Sequence, residues 1–225
     1  MMTPATPHLI ARGLKRSFRL GSSTIEVLRG IDIDIHRGEA VFLVGASGAG
    51  KTTLLYTLAG LERPESGTVE LEGSHLYTGS ERSLAKLRNE RVGFVFQGYF
   101  LLPELTALEN VTLPSMIGGK VNKEAAANAL EHVGLAHRMH HLPSELSGGE
   151  QQRVAIARAV INDPSIIFAD EPTGNLDSKT GDGIMDLLLA LAREKKKTLV
   201  VVTHDAALAG RGDRRLEIQD GRLKV

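Results

Sequence analysis

The chain has 225 residues, 42% hydrophobic and 24% charged, which suits a soluble globule with a sizeable core. Lysine plus arginine and aspartate plus glutamate both total 27, so the basic excess that holds a nucleic-acid backbone is missing and no nucleic-acid partner is expected. Cysteine is absent, which excludes a disulfide scaffold, a thiolate zinc site and a cysteine nucleophile and fits a reducing cytosol.

Residues 1–8 lack a charged segment followed by an apolar core, so no leader peptide is expected. Residues 9–35 read as β structure, with Ile31, Ile33 and Ile35 alternating with Asp32 and Asp34 as in a half-buried strand. Ala40–Val44 is a short apolar run, as in a strand buried on both faces, and leads into a glycine-rich loop and a helix over Lys51–Leu58. Residues 67–71 and 92–96 read as further strands. Between residues 98 and 160 the character turns helical, with a helix at 123–133, a histidine-rich stretch at 137–141 and a helix at 150–161 behind a second glycine motif. A strand at 166–169, a helix over Ser178–Glu194, a strand at 198–203 and a hairpin at Asp220-Gly221 complete the chain. Strands alternating with helices imply a mainly parallel sheet. No apolar run approaches the roughly 18–20 residues that span a bilayer, and the sequon Asn110-Val111-Thr112 is read as chance.

The first glycine stretch, Gly45-Ala46-Ser47-Gly48-Ala49-Gly50-Lys51-Thr52, is a full P-loop match between a buried strand and a helix. Its glycines let backbone wrap a β-phosphate. Lys51 supplies a point charge at the β- and γ-phosphates, and the Thr52 hydroxyl suits Mg²⁺. The partner is Ile166-Ile167-Phe168-Ala169-Asp170-Glu171, an apolar strand ending in two carboxylates. Strand alternation is expected to point them apart, Asp170 to the metal and Glu171 to the attacking water as general base. The second stretch, Leu146-Ser147-Gly148-Gly149-Glu150, opens a helix and offers another anion cradle. His137, His140 and His141 lack acidic neighbours at ligand spacing and are not read as a metal site.

With Leu146-Ser147-Gly148-Gly149-Glu150-Gln151-Gln152-Arg153 in place, the chain resembles the ATP-binding subunits of ABC transporters over essentially its whole length. Gln97 matches that family's Q-loop glutamine, Gly174-Asn175-Leu176-Asp177 its D-loop, His204 its switch histidine and Phe18 its adenine-stacking aromatic. The resemblance implies an α/β P-loop NTPase (RecA-like) core, an N-terminal antiparallel β subdomain and an inserted helical subdomain. Residues 7–97 and 162–225 would form the nucleotide-binding core and residues 98–161 the helical part of a single ATPase domain. It also implies ATP hydrolysis, with residues 45–52, Thr53 and Phe18 on ATP, and with Thr52, Gln97 and Asp170 on Mg²⁺. Glu171, His204, Gln97 and Lys51 would carry catalysis. Leu146, Ser147, Gly148, Gly149 and Glu150 would serve in trans, in a head-to-tail dimer of two copies with ATP between them. Asp177 reads as both a D-loop residue and a helix cap. The family works with integral membrane subunits, so a peripheral place on the cytoplasmic face of a bacterial inner membrane is expected. The apolar run Tyr99-Phe100-Leu101-Leu102-Pro103 is read as the landing site for such a subunit. Phe96-Gln97, Leu101-Leu102-Pro103, Leu105-Thr106-Ala107-Leu108-Glu109-Asn110-Val111 and Leu113-Pro114 are similar to the lipoprotein-releasing and macrolide-exporter group, and other stretches to its lipoprotein-releasing ATPases. A macrolide or peptide exporter, or a cell-division complex of that group, is the alternative.

Overall fold

The computed structural model describes residues 7–224, so residues 1–6 of the segment read as leaderless lie outside the described residues. Two compact units divide the chain, one taking residues up to Leu84 and from Thr198 onward, the other Ala85–Lys197. The chain opens with strands β1 (Pro7–Leu20), β2 (Ser23–His36) and β3 (Ala40–Val44), helix α1 (Lys51–Leu58), strands β4 (Ser66–Leu71) and β5 (Ser74–His75), and helix α2 (Glu81–Arg91). Then come β6 (Val92–Val95), α3 (Ala107–Ile117), α4 (Lys123–His132), α5 (Gly148–Val160), β7 (Ile166–Asp170) and α6 (Ser178–Glu194). β8 (Thr198–Val202), the single turn α7 (Ala206–Ala209), β9 (Arg214–Gln219) and β10 (Arg222–Leu223) close it.

Besides the single turn α7, two longer helices go beyond the sequence reading. α2 is strongly polar and buries only Leu84, so no apolar stripe marks it. α3 carries Pro114 inside it, which argues against a helix locally, yet its start is signalled by a capping box between Thr106 and Glu109. Asn110 of the sequon is fully buried in α3, and its amide donates to the carbonyls of Leu102, Leu105 and Thr106.

In the first unit β1 pairs antiparallel with β2 and with β4, and β5 with β4. Ile31, Ile33 and Ile35 are buried opposite Leu14, Ala11 and Leu9, the face that the alternation predicts. β3 lies parallel to both β8 and β9, wholly buried, as its unbroken apolar run requires. β9 turns back into β10 through Asp220 and Gly221, both at positive φ (49° and 75°), the backbone of a type I′ hairpin turn.

A buried histidine ties this unit together. His8 Nδ1 lies 2.5 Å from Thr198 Oγ1 and Nε2 lies 3.1 Å from Glu72 Oε1. Arg37 donates in turn to Glu72. The neutral ring protonated on Nε2 serves both partners, accepting from the threonine and donating to the carboxylate. Burial first, and the Arg37 charge second, hold His8 below its ordinary value of 6.5 against the pull of Glu72. The unfolded chain therefore takes up a proton that the fold resists, so this stabilisation is complete above pH 6.5 and is lost as pH falls below it. The urea midpoint is expected to drop between about pH 7 and about pH 5, and His8→Gln to flatten the drop. An equally steep drop in the variant would assign the acid sensitivity elsewhere.

In the second unit β6 runs parallel to β7, Val92 beside Ile166 and Val95 beside Ala169. Phe94 stacks on Phe168 at 6.3 Å and touches Phe96 at 4.3 Å. α3, α4 and α5 pack on one another through Val111, Ala126, Leu130, Val154, Ala155, Ile156 and Ala157. α6 buries Ile184, Met185, Leu188, Leu189 and Leu191. Among the described residues no helix is long and apolar enough to cross a membrane.

Candidate active site

β3 delivers Gly45 at its end, and the loop then rises on Gly48 (φ 77°) and Gly50 (φ 101°). Each glycine has its own reason. A Cβ on Gly45 would stand 2.2 Å from the Ile218 carbonyl oxygen, and one on Gly50 would stand 2.8 Å from the Val27 carbonyl oxygen. A Cβ on Gly48 would meet nothing within 4 Å, so Gly48 faces the open side of the loop. Gly221 N–H donates to the Ala49 carbonyl at 3.3 Å, so the C-terminal hairpin holds the loop from behind. Gly50 caps α1 with no side chain, which leaves the first N–H groups of that helix facing an incoming anion. Lys51 is buried and donates from Nζ to the carbonyls of Gly45 and Ala46, 2.9 Å each, which folds its charge back over the loop. Thr52 and Thr53 follow in the first turn.

The same unit places Phe18 and His204. Phe18 is 40% exposed, with the Arg16 guanidinium 4.9 Å from its ring centroid, so this aromatic is a surface platform and not core. His204 is exposed just beyond β8. Its turn is fixed because Asp205 N–H donates to Thr203 Oγ1 and the Asp205 carboxylate caps α7.

The second unit carries the remaining candidates. β7 ends on Asp170, which is buried, and Glu171 turns out of the strand with φ 40°. Strand alternation was expected to part the two carboxylates. Glu171 instead lies past the strand, and a left-handed residue does the parting at a cost of about 1–2 kcal/mol. Opposite it, a Cβ on Gly174 would meet Gln97 Nε2 at 2.9 Å and Glu171 Oε2 at 3.3 Å. The Gln97 amide and the Glu171 carboxylate thus converge on one point, and only glycine leaves room between them. Asn175 fixes the other side by donating to the Gln97 carbonyl at 3.0 Å. Asp177 caps α6, accepting from Thr180 N–H at 3.0 Å, and hydrogen bonding from the Thr180 side chain first and its N–H second holds the carboxyl below the usual range.

The second glycine stretch starts α5 two residues earlier than expected, with Ser147 as its cap and Gly148 and Gly149 already in its first turn. Ser147 Oγ accepts from Glu150 N–H at 3.3 Å and donates to Glu150 Oε2 at 2.8 Å, and Ser147 N–H donates to the same oxygen at 2.8 Å. Arg138 adds an ion pair to Glu150 at 3.1 Å. The Ser147 bonds first, and Arg138 after them, hold the Glu150 carboxyl below its ordinary range. A Cβ on Gly149 would stand 2.6 Å from Thr180 Cγ2, and one on Gly148 3.0 Å from the Tyr99 hydroxyl. These glycines are therefore demanded by packing within the chain as well as by any anion. Leu146 is buried beneath them. His141 Nε2 contacts Arg138 at 3.0 Å, and among the described residues no group of three or more His, Asp or Glu is placed to hold a metal ion.

After Gln97 the backbone is unusual. Tyr99 (φ 60°) and Phe100 (φ 46°) are both left-handed, at about 1–2 kcal/mol each. Arg158, from α5, donates to both of their carbonyls, and such charged bonds of about 1.5–3 kcal/mol apiece offset the strain. Phe100 stands 65% exposed and Leu102 47%. The sequence reading missed Arg158 and Asn110. Only the capping box ahead of Asn110 hints at a role, and Arg158 sits 58 residues from its partner with no local sign.

Residues 28–174 match the model of the ABC transporter family. The chain belongs to the ABC transporter family. The lipoprotein-releasing system ATP-binding protein LolD of Shewanella denitrificans is 49% identical over 226 residues, which cover 99% of this chain and 97% of that protein. The uncharacterized ABC transporter ATP-binding protein YbbA of Escherichia coli K12 is 50% identical, covering 98% of each chain. Among solved structures, the dimeric post-hydrolysis state of the cassette MJ0796 bound to ADP and Pi superposes with a TM-score of 0.90 at 40% identity, over 96% of this chain and 97% of that one. This ABC cassette thus has the α/β P-loop NTPase fold that the resemblance implies, and it binds and hydrolyses ATP.

Proposed function

We propose that this ATPase powers release of lipoproteins from a bacterial inner membrane. The observation that carries the reading is the identity of about half, over nearly the whole chain, with proteins named for lipoprotein release. The uncharacterized YbbA matches equally well, so lipoprotein release does not follow from identity alone; a macrolide or peptide exporter, or a cell-division complex of the same group, is the second reading on the group resemblance.

The site roles are part of the proposal. Residues 45–53 cradle the phosphates, Lys51 neutralises them, and Phe18 carries the base. Glu171 polarises the attacking water, held in line by Gln97 and His204; their shared point at Gly174 supports Glu171 and Gln97 in that pairing. The Thr52 hydroxyl, the buried Asp170 carboxylate and the Gln97 amide are hard oxygen donors of the kind Mg²⁺ takes, and the ion would spread the charge that develops on the phosphates. Two copies pair head to tail, so that Leu146, Ser147, Gly148, Gly149 and Glu150 of one copy face the nucleotide on the other, with Asp177 near the seam. The dimeric state of MJ0796 supports this. We assign residues 98–161 to a helical subdomain and the rest to the nucleotide core. The chain sits peripherally on integral membrane subunits at the cytoplasmic face, with Phe100 and Leu102 as the landing surface.

Purification from solubilised membranes is expected to bring integral subunits along. Reconstituted with them, ATP is expected to release an acylated lipoprotein from vesicles; release of a macrolide or peptide instead would favour the second reading. Phe100→Ser is expected to abolish stimulation of ATP turnover by those subunits while dimer formation with ATP persists. Full stimulation in the variant would remove the landing surface from the proposal.

A further inference from the structure

The loop after Gln97 is tied to α5 along the length of that helix. On the signature side, the Tyr99 hydroxyl rests against Gly148, where a Cβ would stand 3.0 Å from it. On the other side, Arg158 Nη2 donates to the Tyr99 carbonyl at 2.6 Å and Nη1 donates to the Phe100 carbonyl. Phe100 N–H folds back on the Gly98 carbonyl at 2.6 Å. Fully buried Asn110 grips Leu102 next door, accepting from its N–H at 2.8 Å and donating to its carbonyl at 3.1 Å. Within this frame the Phe100 ring projects outward, one edge on Phe96 at 5.0 Å.

Consecutive left-handed aromatic residues clash Cβ against carbonyl and persist only where the surroundings over-determine them. Here the groups that hold the Tyr99 and Phe100 carbonyls and meet the Tyr99 hydroxyl come from one 13-residue helix whose first turn holds the signature glycines, while Asn110 of α3 holds Leu102. A hydrogen-bonded helix with Val154, Ala155, Ile156 and Ala157 buried moves as one piece.

We propose that Tyr99 and Arg158 are positioning residues that lock this loop to α5, so that a shift of the signature end of the helix is delivered as a shift of the exposed Phe100 ring. The lock stands on the contacts above, whereas its use in transport rests on the landing role proposed for Phe100. Neither residue touches the reacting atoms, so their effect belongs in communication and not in basal turnover.

Amide hydrogen exchange on the intact chain tests the lock. Arg158→Met, which keeps the apolar stem and removes the donors, is expected to speed exchange at residues 99–102 by at least about tenfold while α5 stays protected. Tyr99→Leu is expected to do the same more weakly. In complexes with membrane subunits, Arg158→Met is expected to lose stimulated turnover as fully as Phe100→Ser, with the basal rate of the isolated chain unchanged. Unaltered exchange at 99–102 would overturn the lock. Faster exchange with full stimulation, in complexes where Phe100→Ser abolishes it, would overturn the transmission. If Phe100→Ser has no effect, the landing role fails and the transmission falls with it, while exchange still decides the lock. Should Arg158→Met not fold, Arg158→Lys serves instead. Its single ammonium cannot fork to two carbonyls, so intermediate exchange is expected, and wild-type exchange would count against the lock.

Discussion

Glu171→Gln is expected to bind ATP as the native chain does, to accumulate as an ATP-bound dimer, and to lose turnover by about a hundredfold to ten-thousandfold, the range general-base catalysis supplies. The amide keeps the shape of the carboxyl and its place opposite Gln97, with the left-handed turn out of β7 intact. It removes the negative charge that draws a proton from water. The missing rate therefore appears in the chemical step, not in binding. Single-turnover hydrolysis together with size-exclusion chromatography in ATP reads both halves. A variant hydrolysing at the native rate would take the base role from Glu171. A slow variant that fails to dimerise would instead separate the catalytic step from closure.

Gly45→Ala is expected to cost both stability and nucleotide binding. Its Cβ would meet the Ile218 carbonyl oxygen at 2.2 Å, backbone against backbone, so no side-chain rotation relieves it. Either the loop lifts or the C-terminal hairpin is pushed away. Overpacking of this kind costs about 1–3 kcal/mol, which at this chain length lowers the thermal midpoint by roughly 2–12 °C. Gly48→Ala is the control. Its Cβ meets nothing within 4 Å, so only the φ of 77° penalises it, and a smaller drop is expected although both lie in the phosphate loop. Differential scanning fluorimetry and ATP titration of the two variants separate the effects. Equal midpoints would mean that the hairpin does not brace the loop.

What was legible in the chain was whatever a single segment decides. β3 and α1 begin and end where the apolar run and the P-loop place them, because burial on both faces and a glycine cap leave little choice. α6 starts behind Asp177 because a cap is a local bond. The turn at Asp220 and Gly221 follows from two residues that tolerate positive φ. The rest needed a distant partner. α2 shows no stripe because it buries one leucine, and α3 hides a helix behind a proline. Glu171 read as the next strand residue because nothing in the sequence announces a left-handed turn there. The signature glycines read as phosphate contacts alone, whereas Tyr99 and Thr180 crowd them from within the chain. Arg158 has no local sign at all, because the two carbonyls that it serves lie 58 and 59 residues away.

The bracing hairpin also bears on when the protein becomes competent. β3, which launches the phosphate loop, has β8 and β9 as its sheet neighbours, and the support at Ile218 and Gly221 comes later still in the chain. Gly38 and Thr198, bonded to each other just ahead of β3, are 160 residues apart. Pairings of such long sequence separation form slowly because the intervening chain must close first. The seat of the phosphate loop is therefore built from strands that follow it by more than 140 residues, and its assembly waits on their pairing.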